Sequence, residues 1–240
     1  MTPKKSLGQN FLKDKNIAKK IINQIYIRNN LIIEIGPGHG FLTDFIVNEC
    51  PKKLYLVEKD EKLANILKKK YALKNNIFII NDDIFNIDFD NFKKIKIISN
   101  LPYNISTKLL LKSFKSKRNI LEMVLMVQKE LAIKFDYRSK IINKYNFLSN
   151  LCSDYQRLFN VSKNVFYPKP KVESSVIKLI FNKKTINWSK VDKFINSIFV
   201  NKRKKLNKKI NIESKDLVHI LEKRIDELKI EEVLKIYNFF

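Results

Sequence analysis

Three of the four glycines in this 240-residue chain fall within five positions, in Gly36-Pro37-Gly38-His39-Gly40. An average chain of this length would carry roughly 17 glycines. A sequence so sparing of glycine places it where the backbone enters conformations closed to other residues. The turn follows Leu31–Ile35, a short apolar run that reads as a buried strand, and precedes residues 41–47, which open a helix. Strand, glycine-rich turn and helix make the first unit of a nucleotide-binding α/β fold.

The same grammar continues downstream. Lys53–Val57, Ile77–Ile80 and residues 96–99 read as the second, third and fourth strands, and 123–127 as the fifth, with an amphipathic helix over 60–73. Such alternation implies a mostly parallel sheet with right-handed crossovers. Ligands then sit beyond the carboxyl ends of the strands. The first four strands end at Gly36, Glu58, Asp83 and Asn100, each a residue of ligand-binding type, and all four are expected on one edge. Further helices are predicted over 15–26 behind an Asp14 cap, from Ser106 through 109–111, and over 128–135 and 147–158. Ser174–Phe181 alternates like an edge strand, with 157–161 as a possible partner. Between these, Pro168 and Pro170 hold an extended loop that carries Phe166.

From about residue 184 strand signals cease, and 188–200, 202–210, 215–225 and 231–238 all show helical periodicity. The fold expected is α/β, with a Rossmann-like sheet over residues 1–183. A small all-helical, basic domain follows over 184–240. Its segment Lys202-Arg203-Lys204-Lys205, with Lys208 and Lys209, puts six basic residues within eight. Such a run is either a solvated face or a contact for a phosphate backbone. The formal charge of +24, from 48 Lys and Arg against 24 Asp and Glu, favours a polyanionic partner, nucleic acid before membrane. The lead-in over 4–13 is also basic. Only Cys50 and Cys152 are present, in no CxxC pair, and His39 and His219 lie far apart; no metal and no disulfide framework are expected. No apolar run approaches the ~20 residues of a membrane span, and too few residues precede the first motif for a leader peptide. A cytoplasmic monomer is expected.

Glycine turns of this kind serve both dinucleotides and S-adenosylmethionine (SAM), and Glu58, about twenty residues on, suits a ribose diol in either case. Two details favour SAM. The spacing is G-x-G-x-G, and Glu34 stands two residues ahead of the first glycine, where a carboxylate is awkward beside a pyrophosphate but not beside a sulfonium. Glu34 also reads simply as an exposed strand-end carboxylate. Asp83 can accept from an adenine amino group or cap a turn, and Asp82 competes with it. Asn100-Leu101-Pro102-Tyr103 offers an amide oxygen and an adjacent carbonyl to one exocyclic NH₂, with a ring to stack on the base.

These residues, taken together, resemble the KsgA-type ribosomal RNA small-subunit adenine dimethyltransferases. The likeness runs through Gly8-Gln9-Asn10-Phe11-Leu12, Glu34-Ile35-Gly36-Pro37-Gly38-x-Gly40, Glu58-x-Asp60 and Asp83, then Asn100 through Thr107. It continues in Met126-Val127-Gln128-Lys129-Glu130 and Phe166-Tyr167-Pro168-x-Pro170-Lys171-Val172-x-Ser174. The resemblance implies SAM binding by Asn10, Leu12, Gly36, Gly38, Glu58, Asp83 and Asn100. It also implies catalysis at Asn100, Leu101, Pro102 and Tyr103, with Phe166 facing Tyr103 across a flipped adenine. Lys202, Arg203, Lys204, Lys205 and Lys208 are implied to touch RNA. The partners implied are small-subunit rRNA and the immature 30S particle, and the reaction is dimethylation of N6 on two adjacent adenosines. One stretch departs from the pattern: a usual Tyr-Gly-Arg-Leu-Ser is Tyr145-Asn146-Phe147-Leu148-Ser149 here, which removes an Arg that could contact RNA. Rival readings are the macrolide-resistance enzyme of the large subunit, whose motif usually has Ile in place of Leu101, a non-catalytic assembly factor, and a DNA or small-molecule amino-methyltransferase.

Overall fold

The computed structural model describes residues 8–240; Lys4 and Lys5 of the basic lead-in lie outside the described residues. The chain divides into two units. One comprises the described residues up to Ala132 with Gln156–Asn182, the other Ile133–Tyr155 with Lys183–Phe240.

The first unit is built on a seven-stranded sheet. Its strands are β2 (Leu31–Ile35), β3 (Lys53–Val57), β4 (Ile77–Ile80), β5 (Ile95–Asn100), β6 (Ile120–Gln128), β7 (Ser153–Val161) and β9 (Ser174–Phe181), in the order β4-β3-β2-β5-β6-β9-β7. β2 through β6 run parallel and β9 is antiparallel to β6. The central strands read as unbroken Ile and Leu runs because both faces are covered; Ile32, Ile33, Leu54, Leu56, Ile97 and Ile98 are fully buried. α2 (Phe41–Asn48) and α3 (Glu61–Lys70) form the crossovers from β2 to β3 and from β3 to β4. From β2 the chain works outward through β3 to β4, then returns to β5 on the other flank of β2. That reversal opens a crevice at the carboxyl ends of β2 and β5. There the Ser99 hydroxyl of β5 donates to the Ile35 carbonyl of β2, 2.5 Å away.

Two further features were not legible in the sequence. A two-residue ribbon pairs β1 (Phe11–Leu12) antiparallel with β8 (Phe166–Tyr167), Leu12 opposite Phe166. Beneath the sheet's own pairing, Glu122 of β6 accepts from Lys96 of β5 at 2.7 Å and from Lys178 of β9 at 2.9 Å. The two ammonium groups also donate to the Tyr26 and Gln24 carbonyls.

Several predicted elements have different limits. α1 (Lys15–Ile22) starts as expected, with the Asp14 carboxylate accepting from Asn16 and Ile17 N–H, but stops four residues short of 26. α4 (Ser106–Lys115) is not capped by Ser106, whose hydroxyl donates back to the Pro102 carbonyl. α5 (Lys129–Phe135) agrees with the prediction. The helix expected over 147–158 is α6 (Lys144–Cys152), and the chain then turns into β7, where alternate burial replaces helical spacing.

The second unit explains the unusual stretch at 145–149. The Phe147 ring is fully buried, with centroids of Phe194 at 5.2 Å, Tyr237 at 5.5 Å and Phe199 at 6.1 Å. Asn146 accepts from Asn143 N–H and donates to the Ile141 carbonyl, closing a capping box on α6. Where the family pattern has an Arg, this chain has the hub of an aromatic core. That core draws 133–155 into the same unit as the tail, so the observed division does not follow a single cut at 183. The tail holds α7 (Trp188–Phe199), α8 (Val218–Leu221) and α9 (Ile230–Phe239). The basic segment predicted as a helix over 202–210 is instead a turn followed by a short 3-10 stretch, Leu206–Lys208. Leu206 is its one fully buried side chain before Ile210, and a segment without an apolar stripe has nothing to hold a helix against like-charge repulsion.

Candidate active site

The crevice between β2 and β5 is a cavity of about 380 Å³, within the range of small-molecule sites. Asn10, Leu12, Gly36, Gly38, Glu58, Asp83, Asn100, Leu101 and Pro102 all line it, so the four expected strand ends do meet on one wall. Gln9, Phe11, His39, Ile84 and Asn104 line it too and had no site role assigned from the sequence.

The glycine turn shows why side chains are excluded. Gly38 has φ +61°, and a Cβ there would lie 2.8 Å from the Phe11 ring. Gly40 (φ +78°) would drive a Cβ into the Tyr71 hydroxyl at 2.9 Å. Tyr71 and Lys70 both reach Asp44, at 2.7 Å each, and so tie α3 to the start of α2.

Glu58 is buried, and its two oxygens accept from Gly38 N–H (3.1 Å) and Asp60 N–H (2.9 Å). Burial pushes this carboxyl above its ordinary value, while the backbone donors pull it back. With Lys59 N–H as a third backbone donor, the carboxylate's roughly four acceptor sites still leave capacity for a ribose hydroxyl. Asp83 accepts from Phe85 N–H and pairs with Lys59 at 2.9 Å. Those bonds hold its carboxyl below the usual range, hence charged at neutral pH.

Glu34 is neither exposed nor charged at neutral pH. It is 2% exposed, the Thr43 hydroxyl donates to Oε2 at 2.6 Å, and burial pushes its pKa up to about 8. This burial corrects the reading of an exposed strand end; Glu34 instead lines the cavity beside Gly36. The sign of its effect on stability follows. Between the ordinary value of 4.5 and about 8 the folded state holds a proton that the unfolded state has lost. Stability therefore falls as pH rises through that window. Glu34→Gln, which keeps an acceptor for Thr43, is expected to flatten the melting temperature between pH 5 and 8 and to exceed the parent at pH 9. Identical profiles for the two proteins would exclude a shifted Glu34.

Asn100 donates through Nδ2 to the Asn10 carbonyl at 2.9 Å, which leaves its amide oxygen as the acceptor. The Pro102 carbonyl accepts from Ile105 N–H and Ser106 Oγ. Tyr103 is half-buried and its hydroxyl lies 2.7 Å from Ser174 Oγ. The motif around Ser174 was visible in the sequence, but nothing there pointed to this bond. Phe166 is placed differently from expectation. It is 2% exposed and packs in the core with Leu12, Val161 and Val176, so it presents no open face opposite Tyr103. Its pairing with Leu12 turns it inward, and the neighbouring Tyr167 is the exposed ring of that loop.

Lys202, Arg203, Lys204, Lys205 and Lys208 are all exposed, and among the described residues none of the five forms an ion pair. Lys209 differs, donating to the Ile198 carbonyl at 2.6 Å. Among the described residues there is no group of three or more His, Cys, Asp or Glu able to hold a metal, and no helix long and apolar enough to cross a membrane.

With this geometry in hand, the comparisons with known proteins converge. The chain is 38% identical to ribosomal RNA small subunit methyltransferase A of Hydrogenobaculum sp. over 244 residues, covering 99% of this chain and 93% of the relative. It is also 38% identical to the protein of that name from Mycoplasmopsis synoviae, covering 98% and 96%. A dimethyladenosine transferase from Plasmodium falciparum superposes with a TM-score of 0.79 at 25% identity, covering 96% of this chain and 100% of that one. The 23S rRNA methyltransferase ErmE shares the fold, with a TM-score of 0.76 at 18% identity over 95% and 98% of the two chains. The family model for ribosomal RNA adenine dimethylase matches residues 1–240. The chain belongs to the ribosomal RNA adenine dimethylase family.

Proposed function

We propose that this enzyme uses SAM to dimethylate N6 of two adjacent adenosines in the 3′-terminal hairpin loop of 16S rRNA, acting on the immature 30S subunit in the cytoplasm. The observation that carries this reading is the Asn100 amide, fixed at the cavity wall by its bond to the Asn10 carbonyl with its oxygen left to accept. The cavity suits SAM because Glu58 keeps acceptor capacity for a ribose hydroxyl and Asp83 offers a charged acceptor for an adenine amino group. SAM, when bound, supplies a methyl group already activated on a sulfonium.

The chain's own residues then do the positioning. The Asn100 oxygen and the Leu101 carbonyl accept from the target amino group and aim its lone pair, since the Pro102 carbonyl is already engaged. Tyr103, steadied by Ser174, supplies the stacking face, a contact worth ~1–3 kcal/mol. The N6 proton leaves to water, and no strong base is required because orientation lowers the barrier. A base flipped from an RNA loop can reach such a clamp.

The exposed lysines of the 202–208 turn are proposed to grip the phosphate backbone. Replacing Lys204 and Lys205 with alanine should lower the slope of log K against log salt by roughly 1.4–1.8, read by filter binding to 30S particles across a salt series. An unchanged slope would make this segment merely solvated. The reaction itself is tested by mass spectrometry of the small-subunit 3′ fragment from cells with and without the protein. Loss of the dimethyladenosine pair is expected, and an effect confined to large-subunit RNA would refute the assignment.

A further inference from the structure

The turn after β4 carries the Asp83–Ile84 wall of the cavity and is held by a side chain from another element. Lys112, on α4, donates from one Nζ to three carbonyls of this turn: Ile84 at 3.1 Å, Phe85 at 2.9 Å and Ile87 at 2.5 Å. An ammonium has three protons, so all of its donor capacity goes to this single turn. Its Nζ also lies 5.3 Å from the Phe89 ring centroid, and Lys108, one helical turn earlier, lies 4.3 Å from that of Phe85. Burial pulls the Lys112 ammonium below its ordinary value, with Asp88 and Asp83 opposing that shift.

The origin of α4 makes this arrangement informative. The helix begins three residues after Tyr103, directly behind the Asn100-Leu101-Pro102-Tyr103 motif. The turn held by Lys112 and the reactive loop are therefore fastened to one rigid element, less than two helical turns apart. Ile84 is buried and, like Asp83, lines the cavity. Without Lys112, three carbonyls of that turn lose their shared donor; Lys108 of α4 stays against the Phe85 ring but supplies no hydrogen bond to those carbonyls.

We propose that Lys112 is a positioning residue for the cofactor. It sets the Asp83–Ile84 wall at the distance from Asn100 that the bound adenosyl group requires. This rests on the reading of the cavity as a SAM site. The test uses the full-length protein and two variants, Lys112→Met, which keeps the stem and removes the donors, and Lys112→Arg, which keeps charge and donors. For Lys112→Met the KM for SAM and the Kd for S-adenosylhomocysteine are expected to rise about tenfold or more, with kcat at saturating SAM within about twofold. Lys112→Arg should recover part of that loss. Because Lys112 acts through the wall, its effect should shrink in an Asp83→Ala background, giving a non-additive double-mutant cycle. A lowered melting temperature with unchanged KM and Kd would overturn the proposal, as would strict additivity with Asp83→Ala. Should Lys112→Met not fold, Lys112→Arg and the Asp83 cycle built on it decide alone. Failure of the unmodified protein to bind S-adenosylhomocysteine would instead overturn the reading of the cavity.

Discussion

Asn100→Ala is expected to slow methyl transfer by about 10²–10³-fold, the usual consequence of deleting one preorganised hydrogen-bonding group at a reacting centre. Two jobs meet in this side chain. Its oxygen is the proposed acceptor for the target amino group, and its Nδ2 holds the Asn10 carbonyl 2.9 Å away beside the cavity. The first belongs to the chemical step, and the second to the donor site. Single-turnover transfer of labelled methyl to immature 30S particles should therefore collapse, while the KM for the donor rises by a smaller factor and RNA affinity is nearly unchanged. Asn100→Asp refines the test. It keeps acceptor oxygens but sets a carboxylate against the Asn10 carbonyl, acceptor facing acceptor, so it should lose more in donor affinity than alanine loses. A parallel fall in RNA binding for Asn100→Ala would make the residue a structural support.

The second large effect is on stability. Glu122 is shared by Lys96 and Lys178 within 2.9 Å, and the three side chains are only 10–21% exposed. Glu122→Ala strands two nearly buried ammonium groups in the middle of β5, β6 and β9. Breaking such a set costs about 3–5 kcal/mol, which urea unfolding monitored by circular dichroism would register as a large drop in midpoint. Replacing all three residues with methionine should cost far less, because removing the charges together also removes their desolvation penalty. The two ammonium groups hold the Glu122 carboxyl below its ordinary 4.5 despite its burial. Its contribution is thus complete above 4.5 and is lost as pH falls through the lower folded value. Equal midpoints for the parent and Glu122→Ala would show that the triad is dispensable.

How far the sequence could be read depended on the range of the interactions involved. The strands at 31–35, 53–57, 77–80 and 174–181 were visible with their limits because apolar runs and glycine punctuation are local signals. The convergence of Gly36, Glu58, Asp83 and Asn100 on one wall followed from topology alone. What stayed hidden depends on partners far along the chain. The triad on Glu122 draws on residues 26 and 56 positions away, and the burial of Phe166 comes from pairing with Leu12. The raised pKa of Glu34 could not be read either, since it comes from full burial, which the Thr43 hydroxyl only partly offsets. The 202–210 segment misled because periodic charge imitates a helix face when its apolar anchors, Leu206 and Ile210, both fall in its second half. At Phe147 the substitution was noticed as a lost arginine, but its gain, an aromatic hub, involves rings some fifty and ninety residues later.

The ribbon of Phe11–Leu12 with Phe166–Tyr167 has a thermodynamic corollary. One of its strands lines the donor cavity and is the neighbour of the Asn10 carbonyl held by Asn100; the other belongs to the loop whose Tyr167 ring faces solvent. Backbone bonds make the two strands order or fray together. A ligand that stiffens the first strand reduces the entropy left to lose in the second, and an acceptor that steadies the second tightens the hold on the ligand by an equal factor. For two methyl groups to reach one nitrogen, spent donor must be exchanged for fresh between transfers. Coupled through this ribbon, each such exchange would loosen and re-form the grip on the acceptor side.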